Sequence, residues 1–492
     1  MADPELRREL VLRDVEVEGR RVDVRVARGA IAEVGSHLKV GSATEVVDGG
    51  GGALLPGLHD HHLHLLATAA ARRSVAAGPP RVRDRVGLVA ALRSADRALP
   101  AGRWIRAVGY HESVAGDLDR RALDALVPDR PVRVQHRSGA RWTLNSTALV
   151  AVGLDDPPGD DTRAAGSGVG HPGVSHPGVE RDRDGRATGR IHRADAWLRT
   201  LLPDEGPPDL APLGRLLASR GVTGVTDTTP YGNLAELTPL VDAVAGGDLP
   251  QHVVATGGVT LAGEAAPAGL TWGPVKLVID DGAYPSLDAL GDDIRAAHHH
   301  GRTVAVHCVT RVALVLALAA WDEGGARPGD RVEHGAVVPP ELVPHLRRHG
   351  LTVVTQPGFV SERGDEYRRD VDPDDQPWLY PCRSLIAAGV PVGGSTDAPY
   401  TDPDPWRAIA AAVTRRTPSG AVLGPDQTVT ARRALDLFLS DPLAPGGPPR
   451  RVAPGAAADL CLLATPLDVA LSEPASAEVR ATIRQGRIVA TS

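Results

Sequence analysis

The feature that most constrains the fold is an alternation of helical patterns with short apolar runs, which begins at about residue 210. Helical segments tend to end on a glycine just before the next apolar run, as at Gly301, Gly350 and Gly389, and glycine commonly ends helices. With ALLPGLH at 53–59 as the first strand, the apolar runs number eight. Eight strands that alternate with helices predict an α/β fold, a (β/α)8 TIM barrel.

The two ends of the chain show a different pattern. Residues 1–52 and 453–492 contain short segments in which apolar and polar residues alternate between glycines, as in small half-buried sheets. We expect both ends to combine into one small composite β-sandwich domain, with the barrel over 53–452. An insertion at about 75–210 follows the first barrel strand, and it contains a Gly- and Pro-rich loop at 155–178.

Composition and charge exclude several classes of protein. With 42% hydrophobic and 23% charged residues, the chain is globular, and its net charge of −7 disfavours nucleic acid or an anionic membrane as a partner. The three cysteines are far apart, which indicates neither a disulfide framework nor a thiolate zinc site. The sequence shows no signal peptide and no apolar stretch of about 20 residues. We therefore expect a cytoplasmic protein that acts on a small molecule, and a homodimer is left open.

The first strand leads into PGLHDHHLHL, which carries two histidines two residues apart. Alternate residues of a strand point to the same face, so His62 and His64 can both face the mouth of the barrel. Two imidazoles at the C-terminal end of a barrel strand suit a metal ion. His59 and His61 lie at the alternate positions and are weaker candidates. An exposed histidine-rich loop is the alternative interpretation.

Further candidates occur one to a strand. Lys276 lies on the fourth strand, His307 ends the fifth, His334 ends the sixth and Asp397 ends the eighth. These are the positions at which barrel enzymes keep their active sites. A single histidine at a strand end is more often structural, but four histidines and an aspartate at such ends favour a common site.

Lys276 is unusual because only two of the 54 Lys and Arg residues are lysines, the other being Lys39. In a chain whose default cation is arginine, a lysine on a barrel strand suggests a role that arginine cannot fill. An interior ion pair with Asp280 or Asp281 is the alternative for Lys276. For Asp397, the alternative is a structural helix cap.

The motif PGLHDHHLH resembles the PGxxDxHxH signature of the amidohydrolase superfamily. The order HxH, Lys, His, His, Asp is similar to that of the metal ligands in its two-metal members. Other motifs resemble the YtcJ-like, or amidohydrolase-3, branch, which includes N-substituted formamide deformylases. These motifs are RWTLNSTAL (141–149), DGRATGRI (184–191), VKLVIDDGA (275–283), RVEHGA (331–336), STDAPY (395–400) and PGAAADLCLL (454–463).

The resemblance implies one or two divalent metal ions per chain, with zinc as the first choice. His62 and His64 would hold the more buried ion, while His307 and His334 would hold a second ion or orient the substrate. Lys276, carboxylated by CO2 to a carbamate, would bridge the two ions through its two oxygens. Asp397 would be both a ligand and the general base and acid that moves a proton from a metal-activated water to the leaving nitrogen.

The resemblance also implies a reaction, the hydrolysis of a C–N bond in a small amide, formamide or cyclic amide. The first alternative is a mononuclear metal-dependent deaminase of a heterocycle. That chemistry usually needs a glutamate just after the fifth- or sixth-strand histidine, whereas Glu333 precedes His334 and is expected to point away from it. The second alternative is a non-catalytic barrel scaffold.

Three side chains are candidates for substrate binding, namely Tyr110, Arg311 and Tyr284. Arg311 follows the fifth strand, where it could pair with a carboxylate of the substrate. The alternative interpretation of Arg311 is a solvated arginine at the start of a helix, and Tyr110 could simply pack in a core.

Overall fold

The computed structural model describes residues 9–42, 44–155 and 176–492. Most of the Gly- and Pro-rich run at 155–178 therefore lies outside the described residues. The chain divides into two compact units, one formed by residues 1–68 with 209–492 and the other by residues 69–208.

The larger unit contains the predicted barrel, and the (β/α)8 prediction is confirmed. Each of its eight strands pairs in parallel with the next along the chain. The backbone closes the ring beyond the last strand, where Asp397 N donates to His62 O at 2.8 Å and His64 N donates to Ala398 O at 2.9 Å. The strands are β1 (Leu58–Leu63), β2 (Val222–Asp227), β3 (His252–Gly257), β4 (Leu270–Val278), β5 (Val304–Cys308), β6 (Arg331–His334), β7 (Thr352–Thr355) and β8 (Val392–Gly394).

The predicted first strand at 53–59 is wrong in its placement. Residues Leu54–Pro56 form a separate strand that pairs antiparallel with Leu460–Leu463, and the barrel strand begins only at Leu58. The break falls at Gly57, where a Cβ would lie 2.2 Å from the Thr223 side chain, so only glycine fits. As a result, the HDHH sequence lies inside β1 and its residues are buried.

Helices follow the strands because their sequences are amphipathic and have clear ends. In Arg311–Gly324 the Thr310 side chain accepts from Ala313 N, which caps the first turn, and the chain leaves the helix at Gly325 with φ +77°. Its apolar face buries leucine, alanine and Trp321. The other helices of this unit are Ala211–Ser219, Thr238–Ala245, Leu287–His299, Val343–His349, Gly358–Asp370, Arg383–Ala387, Pro405–Thr414, Ala431–Asp436 and Leu467–Ser472, and helix Leu65–Arg72 follows β1.

Two four-stranded sheets form beside each other from the two ends of the chain. Their apolar residues belong to one core cluster, in which Leu12 and Val24 join Leu462 and Ile483. The first sheet comprises Leu10–Val17, Arg20–Ala27, Ala30–Gly35 and Glu45–Asp48. The second comprises Leu54–Pro56, Leu460–Leu463, Val479–Arg484 and Arg487–Thr491.

The smaller unit has a six-stranded sheet and its own apolar cores. Asn145 of the RWTLNSTAL motif is structural in this unit, since its side chain accepts from Val132 N and Ala148 N and donates to two carbonyls. The strands are Val75–Ala76, Ile105–Tyr110, Val132–His136, Arg141–Leu144, Val179–Arg181 and Ala187–His192. The helices are Arg85–Ala98, Glu112–Ala115, Arg120–Asp124, Ser146–Ala151 and Asp195–Leu201.

Within the described part of the chain, no helix combines the length and the apolar character that a membrane crossing requires.

Candidate metal centre

Three predicted ligands meet where the barrel closes. His62 lies at the end of β1, His64 directly follows that strand, and Asp397 follows β8. Asp397 Oδ1 lies 3.5 Å from His62 Nε2 and 3.4 Å from His64 Nε2. One potential ligand atom from each residue falls within 4.8 Å of the others. Such a group of two imidazole nitrogens and a carboxylate oxygen is a donor set that suits a divalent metal ion.

The atoms at the centre of this group have the properties that a cation site requires. Asp397 Oδ1 is buried and has no hydrogen-bond partner in the described part of the chain. A buried polar atom without a partner is unfavourable unless a ligand satisfies it. The side chain of His64 is 18% exposed, whereas those of His62 and Asp397 are 1% and 6% exposed, so solvent approaches from the His64 side.

The opposite nitrogens of the histidines are already held by protein groups. His62 Nδ1 donates to Glu333 Oε2, and His64 Nδ1 lies 3.0 Å from Thr229 Oγ1. A hydrogen bond at Nδ1 fixes the orientation of the ring and leaves the Nε2 lone pair for a metal ion. Both rings therefore present Nε2 to the same carboxylate oxygen.

His334 follows the same scheme. Its Nδ1 lies 2.9 Å from Gln356 Oε1. The amide nitrogen of Gln356 donates to Val354 O and Ser395 Oγ, which leaves the amide oxygen to face the imidazole. Nδ1 of His334 thus carries the proton, and Nε2 is left as the potential ligand. The ring centroid of His334 lies 4.7 Å from that of His62 and 4.5 Å from that of His307.

Lys276 lies on β4 in the interior of the barrel and is only 5% exposed. Its amine has no hydrogen-bond partner among the described residues, and it forms no ion pair with Asp280 or Asp281. Burial lowers the pKa of Lys276, although the charge of Glu333 acts in the opposite direction. The alternative of an ion pair with the nearby aspartates is therefore wrong, and the lysine is an unpaired amine in the interior.

Two of the candidate ligands have a strained backbone. His334 has φ +69° and Asp397 has φ +56°, and both lie in the left-handed region that side chains other than glycine rarely occupy. Such strain often marks functional positions, where the surrounding structure holds the residue in place. The left-handed turn at His334 also redirects the chain immediately after Glu333.

The expectation that Glu333 points away from the site is wrong. Its Oε2 accepts from His62 Nδ1, and its Oε1 accepts from Arg331 Nε at 2.6 Å. Glu333 and the ring of His334 can both approach His62 because β6 ends in that left-handed turn. Glu333 therefore contacts a candidate ligand, which the alternation of a regular strand does not predict.

Asp60 is a second residue that the sequence interpretation missed. It accepts from Thr396 N at 3.1 Å and from His62 N at 3.2 Å, so it ties β1 to the segment that carries Asp397. Burial raises the pKa of Asp60 to about 7. The position of Asp60 within the PGxxDxHxH motif could have identified it from the sequence. Gln356 could have been found in the same way, as a polar residue directly after β7.

The remaining histidines of the motif face other partners. His59 Nε2 lies 2.9 Å from Thr226 Oγ1, and His61 Nε2 lies 3.0 Å from Ser440 Oγ. Both rings are buried, so the alternative of an exposed histidine-rich loop is wrong.

The three substrate-binding candidates have local partners. Tyr110 is buried in a core of the smaller unit, and its hydroxyl donates to Gly116 O. Arg311 Nε donates to Asp375 at 2.9 Å, and its Nη1 donates to Glu341 at 3.2 Å. Tyr284 is exposed, with its hydroxyl 3.1 Å from an oxygen of Asp281.

A parallel eight-stranded barrel that gathers two histidines and an aspartate where its first and last strands meet has a candidate metal site at the face where barrel enzymes keep their active sites. The chain belongs to the amidohydrolase family, whose model matches residues 45–490. The resemblance noted in the sequence is thereby confirmed at the level of the family.

Two relatives cover most of the chain. N-substituted formamide deformylase from Arthrobacter pascens is 27% identical over 473 residues, which is 85% of this chain and 85% of the relative. The putative amidohydrolase YtcJ of Bacillus subtilis is 25% identical over 445 residues, 81% of this chain and 82% of the relative.

Solved structures agree on the fold. A metal-dependent hydrolase from Pyrococcus horikoshii superimposes with a TM-score of 0.71 at 20% identity, over 96% of this chain and 100% of that chain. N-isopropylammelide isopropylaminohydrolase from Burkholderia multivorans superimposes with a TM-score of 0.54 at 17% identity, over 98% of each chain. At these identities the likeness concerns the fold alone.

Proposed function

We propose that the protein is a metal-dependent hydrolase that cleaves a C–N bond in a small amide, formamide or cyclic amide. The proposal rests chiefly on the arrangement where β1 meets the segment after β8. There His62 and His64 direct Nε2 at an oxygen of Asp397 that has no hydrogen-bond partner among the described residues, while protein groups hold their Nδ1 atoms. A divalent metal ion, with zinc as the first choice, would supply Lewis acidity and an activated water when bound there.

The residues present fit one ion and offer donors for a second. His62, His64 and Asp397 would hold the first, and His307 and His334 would contribute to the second. Lys276 would join the two as a carbamate, because an unpaired buried amine with a lowered pKa is the form that reacts with CO2. The carbamate would replace an unsatisfied donor with two oxygen ligands.

Asp397 would move the proton during the reaction. Burial raises the pKa of this carboxyl group, while His64 and Lys276 act to lower it. A general base that later acts as an acid works best with a pKa closer to the working pH than that of a solvated aspartate. Asp397 would take a proton from the attacking water and release it to the leaving nitrogen.

Glu333 does not favour the deaminase alternative. Its two carboxylate oxygens are engaged by His62 and Arg331, so it would serve to position His62 rather than to shuttle protons to a substrate. We therefore propose no second function.

The test is a substrate screen of zinc-reconstituted protein with N-formyl amines, N-acyl amines and cyclic amides in one set and aminated heterocycles in the other. We expect hydrolysis in the first set only, and an Asp397→Asn variant should lose it. Asp402→Asn changes an exposed aspartate of the same loop and should retain it. Turnover of the heterocycles alone, or no turnover by protein that binds metal, would contradict the proposal.

A further inference from the structure

Aromatic side chains, which are scarce in this chain, are concentrated next to the metal centre. The sequence has only 2 Phe and 6 Tyr, and four of these eight lie together. The rings of Phe359 and Tyr380 stack at 5.2 Å, and Tyr367 lies 6.0 Å from Tyr380. The ring of Tyr400 meets that of His64 edge-on at 5.8 Å, on the side of the centre that solvent reaches.

The cation Arg363 lies beside two of these aromatic residues. It projects from helix Gly358–Asp370, and its guanidinium carbon lies 4.7 Å from the centre of the Phe359 ring. Its Nη2 donates to Tyr400 O at 2.6 Å. Burial raises the pKa of Asp397, and the charge of Arg363 is one of those that lower it, so the two groups lie within electrostatic range.

Arg363 uses little of its hydrogen-bonding capacity. A guanidinium has five N–H donors, and that of Arg363 makes one hydrogen bond and no ion pair with any described carboxylate. By contrast, the buried Arg415 makes three hydrogen bonds to carbonyls and the half-buried Arg302 makes four. The guanidinium of Arg363 is therefore oriented but not neutralised.

Arg311, the arginine that the sequence suggested for a substrate carboxylate, is in the opposite situation. Asp375 and Glu341 both pair with it, so its charge is already balanced. Binding of a substrate carboxylate suits Arg363 better, because its charge is not balanced and because it contacts Tyr400, whose ring meets that of His64.

We propose that Arg363 determines specificity by binding a carboxylate of the substrate, so that the preferred substrates are amides or formamides that also carry a carboxylate group. A planar guanidinium matches a carboxylate with two parallel hydrogen bonds, and stacking on Phe359 holds it ready for that geometry. This inference rests on the proposed hydrolysis at the metal centre.

The test measures binding separately from turnover. Calorimetry on zinc-reconstituted protein compares N-methanesulfonyl derivatives of glycine, β-alanine and γ-aminobutyrate with their methyl esters. The sulfonamide is not hydrolysed, and each ester replaces the charged carboxylate with a neutral group. We expect at least one acid to bind roughly 10- to 100-fold more tightly than its ester, and Arg363→Met to abolish this preference. Arg363→Lys should retain part of it, which separates lost charge from lost folding.

The control is Arg369→Met, which removes an exposed arginine from the same helix and should leave the preference intact. Equal binding of acids and esters, binding of neither, or a preference that survives Arg363→Met would overturn the inference. Failure of the proposed function gives a different pattern, in which the Arg363-dependent preference persists but the matching N-formyl compounds are not hydrolysed.

Discussion

At the scale of single residues, the candidate metal centre depends on which nitrogen of each imidazole is left available. Glu333, Thr229 and Gln356 lie at the Nδ1 atoms of three histidines, and the Nε2 atoms of His62 and His64 face Asp397. These partners hold the orientation of each ring before any ion binds, which is how protein groups outside the ligand set raise metal affinity.

Glu333 offers the sharpest test of this arrangement. Glu333→Gln removes the charge that holds His62 Nδ1, and we expect zinc affinity to fall by roughly 10- to 100-fold. Competition with a chelator measures the change. Glu323→Gln, at an exposed position on helix Arg311–Gly324, is the control. Unchanged zinc affinity in a folded Glu333→Gln protein would show that His62 needs no carboxylate to orient it.

The two lysines of the chain provide a matched pair for a second prediction. Lys276→Met keeps the apolar stem and removes the buried amine, so we expect it to bind one zinc ion where the wild type binds two. The metal-free variant should be at least as stable to heat as the wild type, because an unpaired buried amine is unfavourable. Lys39→Met changes an exposed lysine and should alter neither property. An unchanged zinc count in Lys276→Met, by metal analysis, would argue against the carbamate.

At the scale of elements, side chains at strand and helix ends hold the loops that surround the site. Helix Pro405–Thr414 ends at Arg415, which adopts φ +47° and is fully buried. Its guanidinium donates to the carbonyls of Leu379, Tyr380 and Leu423. One buried side chain therefore satisfies three carbonyls, two of them in the segment that carries Tyr380 of the aromatic cluster.

Removal of this side chain should be strongly destabilising. Arg415→Ala removes three hydrogen bonds to buried carbonyls, and we expect a loss of about 3 kcal/mol or more in the free energy of unfolding. Chemical denaturation measures it. The neighbouring Arg416 is exposed and donates one hydrogen bond, to Gly420 O, so Arg416→Ala should lower stability by less than about 1 kcal/mol. Equal losses in the two variants would contradict this account.

At the scale of the whole molecule, the metal centre coincides with the closure of the barrel. The ligands proposed for the first ion lie at the end of β1 and in the segment after β8, which are joined by backbone hydrogen bonds and by Asp60. A metal ion bound by His62, His64 and Asp397 would cross-link the first and last parts of the ring. Metal binding and barrel stability should therefore be coupled.

Metal removal tests this coupling. At free zinc about 1,000 times the dissociation constant, the bound ion stabilises the folded state by about 4 kcal/mol, so chelation should lower the melting temperature by several degrees. The amides of His64 and Asp397, which join the end of β1 to the segment after β8, should then exchange hydrogen faster. In Asp397→Asn, zinc should change both quantities less than in the wild type, because the first ion has lost a ligand. An equal zinc effect in that variant would place the ion elsewhere.

Local pattern alone was sufficient to predict the barrel and to place most candidate ligands at strand ends. The periodicity that distinguishes helices from strands depends on residues that are close in sequence. The topology of a barrel then brings the C-terminal ends of all its strands to one face. The start of β1 was misplaced because the break at Gly57 reflects the close approach of Thr223, which lies far away in sequence.

The sequence by itself thus determined the fold class, the family and the candidate ligands, since these depend on local periodicity and on motifs. Only the tertiary structure decided that Glu333 holds His62, 271 residues away, and that Asp60 meets Thr396, 336 residues away. It also decided that Arg311 is neutralised while Arg363 is not. The physical reason is that such contacts depend on barrel closure and on left-handed turns at His334 and Asp397, which no local pattern encodes.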